Sequence, residues 1–152
     1  MKITKISFII ASALVLSTAP LAHAEDVTVD RATRVEQIKS RWNPIFDQQY
    51  AQLTALAAKA KLDPTVLKSY NYLVADFLEV RRVIDSALAS PTGDIDAAYA
   101  YAEEETGEFM MTIPELAKQV ALIKTITCVK GKTTKKITAL KAACPKGYVK
   151  KK

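Results

Sequence analysis

Between Ile95 and Ile123 one stripe recurs at alternating steps of four and three: Ile95, Tyr99, Ala102, Thr106, Phe109, Ile113, Leu116, Val120 and Ile123. On a helix of 3.6 residues per turn these positions form a single seam, the pattern of helices packed nearly parallel or antiparallel. A strand has no use for it, because strand faces alternate every second residue. The seam therefore demands helical partners, and the chain upstream supplies two.

Asp94 is placed to cap this helix, and Ser90-Pro91-Thr92-Gly93 stops the segment before it. That segment opens at Asp63-Pro64, an N-cap followed by proline at the first helical position, where its missing N–H is harmless. Its stripe is Leu67, Tyr70, Val74, Phe77, Ile84 and Leu88. Further upstream, behind a cap at Asp30, Val35, Ile38, Trp42, Ile45, Tyr50, Leu53, Leu56 and Ala60 recur three to five residues apart. Pro44 and Pro114 each allow a kink or a break. The first stripe keeps its phase across Pro44, which favours a kink. Thr112 and Glu115 have capping-box spacing, which would allow a new helix start near Thr112. The expected fold class is all-α, an up-down-up bundle of three long amphipathic helices over residues 25–123. A coiled-coil homo-oligomer through the Ile95–Ile123 seam is the alternative.

Residues 1–24 read as a secretory signal peptide. Lys2 and Lys5 precede an apolar run from Phe8 to Leu16, and Ala22-His23-Ala24 forms a small-residue cleavage site. The run is too short for a membrane span, and no later segment is long and apolar enough for one. The expectation is an exported chain beginning at Glu25, secreted or associated with the cell envelope. The only histidine, His23, would leave with the leader. The remaining chain would then lack the side chain that titrates near neutrality, and with it His-based nucleophilic triads and His-ligated zinc. In an oxidising compartment Cys128 and Cys144 are expected to form a disulfide. By chain entropy, its 17-residue loop contributes about 3 kcal/mol.

Charge divides the chain. Residues 25–123 hold 10 Lys/Arg against 16 Asp/Glu, whereas residues 124–152 hold 10 lysines and no acid. The expected organisation is therefore an acidic body and a separate basic tail. Within the body, Glu103-Glu104-Glu105 and Glu108 form the densest acidic cluster, but they fit no calcium loop and read as a solvated helix face. Tyr70, Tyr99 and Trp42 fall on stripes and read as core. Phe109-Met110-Met111 offers adaptable apolar surface at most. No catalytic residue, metal ligand or cofactor site is expected, and an enzyme would have to work through carboxylates alone.

The tail carries two β-branched runs, Thr125–Lys130 and Lys135–Lys141, around Gly131-Lys132-Thr133-Thr134. These read as a hairpin pairing Lys130 with Lys135, Cys128 with Ile137 and Ile126 with Ala139, stapled by Cys144. A short helix over Ile137–Ala143 is the competing reading.

The string Thr127-Cys128-Val129-Lys130-Gly131-Lys132, then Lys135-Lys136, then Cys144-Pro145-Lys146-Gly147-Tyr148 with terminal lysines, resembles a C-terminal lysine-rich module of secreted actinobacterial proteins. The likeness covers about the last 27 of the 152 residues. Such proteins carry unrelated bodies ahead of this ending, which implies an addressing or attachment role in place of catalysis.

The functional expectation is a non-enzymatic exported protein held at an anionic wall polymer, lipid surface or other extracellular polyanion. The candidate contacts are Lys130, Lys132, Lys135, Lys136, Lys141, Lys146, Lys150, Lys151 and Lys152. The tail has no arginine, and Tyr148 is its only aromatic residue, which argues against sequence-specific nucleic-acid readout. The alternative is a helical protein-interaction module with a solvated, stapled end.

Overall fold

The computed structural model describes residues 29–151; the leader, its cleavage site and Lys152 lie outside the described residues. Three helices come first: α1 (Arg31–Ala60), α2 (Pro64–Ala89) and α3 (Ile95–Ala121). They form the expected bundle, with connections too short to permit anything but antiparallel neighbours. Each helix starts where an aspartate satisfies its free N–H groups. Asp30 accepts from Ala32 and Thr33, Asp63 from Thr65 and Val66, and Asp94 from Ala97. At the far turn, both terminal nitrogens of Arg31 donate to backbone carbonyls, those of Gly93 and Ser90, tying α1 to the end of α2.

The core is a continuous apolar cluster centred on Phe77, which is only 1% exposed. Its ring lies 5.7 Å from Phe46 and 4.9 Å from Phe109, so one aromatic side chain from each helix meets at the centre. The α3 seam is buried as expected, with Ile95 and Tyr99 at its partly covered end. The chain's own helices thus cover the seam proposed for oligomerisation.

The α1 stripe needs correction. Phe46 and Gln49 are buried, while Ile45 and Tyr50 are exposed. Gln49 is polar and therefore carries no apolar periodicity. Its Nε2 donates to the Thr106 carbonyl at 2.8 Å, and the Thr106 hydroxyl donates to the Ala102 carbonyl at 2.7 Å. On α2, Val66 and Val80 join the buried set.

Neither internal proline ends its helix, and the start near Thr112 does not occur. Pro44 and Pro114 withhold donors from the carbonyls of Ser40 and Met110, four residues back. Both residues are exposed, so solvent can satisfy those carbonyls. The Thr112 hydroxyl donates to the Glu108 carbonyl within the continuing helix.

After α3 come β1 (Lys124–Lys130), β2 (Thr133–Ala139) and β3 (Val149–Lys150), an antiparallel sheet in the order β2-β1-β3. The hairpin register differs from expectation. Lys130 pairs with Thr133, Cys128 with Lys135 and Ile126 with Ile137, leaving Gly131-Lys132 as a two-residue turn. Gly131 has φ +56° and Lys132 does not have positive φ, the combination a type II′ turn requires. The shift is two residues, so the apolar face survives. The alternative helix over Ile137–Ala143 is absent. Cys144 returns to Cys128 as a disulfide with a Cα separation of 5.6 Å.

Candidate polyanion interface

Lys130, Lys132, Lys135, Lys136, Lys141, Lys146, Lys150 and Lys151 are all exposed. Among the described residues, none of them is ion-paired with a carboxylate. The sheet spreads them over two faces and an edge. Lys135 and Lys150 pair with Cys128 from opposite sides, and Lys136 pairs with Thr127. Two of them have close neighbours: the Lys135 ammonium lies 5.0 Å from the Tyr148 ring centre, and the Lys130 side chain runs past Gly147.

The bundle enlarges this basic region in a way the sequence division concealed. Because the helices are antiparallel, Lys59 and Lys61 close α1, Lys68 opens α2 and Lys118 closes α3, all at the tail-bearing end. Lys59 donates to the Ala121 carbonyl and Lys118 pairs with Glu115, whereas Lys61 and Lys68 are exposed without an ion pair to any described residue. The topology, read alongside the charges, was the available signal for this pole.

The acidic cluster lies elsewhere. From Glu104 to the end of α3 the helix rises roughly 25 Å, against a Debye length of about 8 Å at physiological salt. Those carboxylates therefore barely neutralise the basic pole. Within the cluster, burial raises the pKa of Glu105, and Glu108, Asp76 and Glu104 add to the shift while the Tyr101 hydroxyl opposes it. Burial also raises Tyr101, with Glu105 next. Among the described residues no group of three His, Cys, Asp or Glu side chains could hold a metal ion. Nor is any described helix long and apolar enough to cross a membrane.

Among the described residues, body and tail meet at one polar side-chain contact. The Leu140 N–H donates to Asp63 Oδ2 at 2.8 Å, while Asp63 Oδ1 accepts from Thr65 and Val66. Leu140 also packs against the core. These N–H groups, Leu140 first, pull the Asp63 carboxyl below its ordinary range against the opposing effect of burial.

No family model matches the chain, and no curated protein or solved structure matches it either.

Proposed function

We propose that this is an exported, non-enzymatic attachment protein whose basic sheet tail holds the helical body at an anionic polymer or surface of the cell envelope. The observation carrying this reading is the cluster of exposed tail lysines with no ion-paired carboxylate among the described residues, set at one end of an otherwise acidic body. Each lysine near an anionic surface contributes about 1 kcal/mol at modest salt, so several together suffice without a shaped pocket. Export is supported by the leader pattern and is compatible with the Cys128–Cys144 disulfide. The resemblance of the tail to a module found behind unrelated bodies supports attachment over chemistry.

Co-sedimentation with purified cell walls or anionic vesicles tests the reading. Full-length protein should sediment at low salt and be released at high salt, as the Debye length falls from about 10 Å at 0.1 M to about 3 Å at 1 M. Equal sedimentation of protein lacking residues 124–152 would overturn it.

A protein-interaction role for the bundle is the second reading. Tyr72, Met110 and Met111 are 76%, 68% and 73% exposed, and a shallow groove of about 260 Å³ runs between α2 and α3 along Val83, Ala87, Ala97 and Tyr101.

A further inference from the structure

We propose that the open face of the tail sheet is the surface that reads the ligand, and that it takes a hydroxyl-rich phosphate polymer, such as a polyol phosphate, in preference to a lipid surface. This rests on the reading above that the tail binds a polyanion.

Residues opposed across an antiparallel ladder share a face. On one face Ile126 and Cys128 lie beside Ile137, Lys135 and Lys150. The returning segment closes over that face through Cys144, leaving Cys128 0% exposed and Tyr148 against Lys135. The other face presents Thr125, Thr127 and Val129 from β1, Thr134, Lys136 and Thr138 from β2, and Val149 with Lys151 beyond. Thr125, Thr134, Lys136, Val149 and Lys151 are exposed there.

Across this face runs a cation–hydroxyl–cation row. Lys136 pairs with Thr127 on one side, and the Lys151 N–H donates to the Thr127 carbonyl at 2.8 Å on the other. Two interstrand steps separate the lysine Cα atoms, about 10 Å. Thr125 and Thr138 share a hydroxyl hydrogen bond of 2.8 Å, whereas the Thr127 and Thr134 hydroxyls bond no other described residue.

Ammonium groups donate to phosphate oxygens, and a hydroxyl both donates and accepts, so the row matches a polymer alternating phosphate with hydroxyl. Lipid headgroups would also satisfy the ammonium groups, but this face adds little apolar insertion, since Val149 is the one exposed large apolar side chain on it and Leu62 and Leu122 are exposed off the sheet at the bundle end.

The test uses the full, disulfide-bonded chain against polyglycerol phosphate and against phosphatidylglycerol vesicles at low salt. The double variant Lys136→Gln with Lys151→Gln should lose about 30-fold in affinity for the polymer. The charge-matched pair Lys141→Gln with Lys146→Gln, on the returning segment, should lose only a few-fold. Thr127→Val with Thr134→Val should also weaken binding at unchanged charge and melting temperature. Equal losses from the two lysine pairs, with none from the threonine pair, would overturn the face while leaving tail attachment intact. Tighter binding to vesicles than to polymer would overturn the ligand class. Undiminished polymer binding by the full chain with both lysine pairs replaced together would overturn the attachment reading itself.

Discussion

Asp63 and Leu140 stand 77 positions apart in sequence and are joined by a 2.8 Å hydrogen bond from the Leu140 N–H to the Asp63 carboxylate. The same carboxylate caps α2 through Thr65 and Val66, so one side chain both starts a helix and docks the tail on the bundle. Only an ionised carboxylate with both oxygens accepting can do this, since every group facing it is an N–H donor.

Asp63→Asn should therefore separate the two roles. The amide oxygen can still cap α2, but its NH2 then opposes the Leu140 N–H. Hydrogen exchange at Leu140 should speed up while the helix content persists. Native contacts lower the Asp63 pKa below the unfolded value of about 3.9, so its stabilisation is complete above that pH and is lost as pH falls through the native value. Urea unfolding should show wild type above Asp63→Asn at neutral pH and the two converging in acid. A constant gap across that range would refute the linkage.

Glu105 should behave with the opposite sign. Its native pKa is raised, chiefly by burial, so the fold favours the protonated form and loses stability as pH rises through that value. Glu105→Gln should raise the melting temperature at pH 7, and the advantage should vanish in acid. A lower melting temperature for the variant at neutral pH would count against this.

Two glycines should respond oppositely to alanine. At Gly93 an added Cβ would collide with the Ala87 carbonyl in the turn that Arg31 also binds, so Gly93→Ala should destabilise. At Gly107, inside α3, a Cβ meets nothing within 4 Å. Gly107→Ala should stabilise by about 0.5–1 kcal/mol. Thermal melts of the two variants decide it.

Leu116 is 4% exposed in the α3 seam. Leu116→Asp should cost several kcal/mol, enough to unfold a domain with a total stability of about 5–15 kcal/mol. Lys118→Ala removes only an exposed ion pair with Glu115 and should stay within about 0.5 kcal/mol. Residues 25–123 alone should remain helical by circular dichroism, and a strand or coil spectrum would exclude an independently folding bundle.

If the basic pole acts as one surface, Lys61 and Lys68 contribute although they lie in the acidic body. Lys61→Gln with Lys68→Gln should weaken sedimentation with anionic vesicles at low salt, with a smaller effect at high salt. The control Lys39→Gln with Arg82→Gln removes equal charge from surface residues already paired within their own helices, with Glu36 and Glu79, and should change little.

What the sequence determined by itself was everything governed by neighbours three or four residues apart: the aspartate caps, the seam of α3 and the stop at Ser90–Gly93. The cysteine pairing was equally legible, because a chain with two thiols allows one internal disulfide. Tertiary structure decided the rest. Adjacent helix positions differ by only 100°, so Ile45 and Phe46, or Tyr50 and Gln49, border the same apolar arc. Packing against Phe77 and the Thr106 carbonyl selected Phe46 and Gln49. A two-residue slip of the hairpin leaves its faces unchanged, so periodicity could not choose the register; the positive φ available to Gly131 did. The β3 strand is two residues long and carries no pattern of its own, forming where the chain comes back past the Cys128–Cys144 bridge. The basic pole and the Asp63–Leu140 contact follow from antiparallel packing and chain return. Both join residues through space that are remote in sequence, beyond the reach of any local regularity.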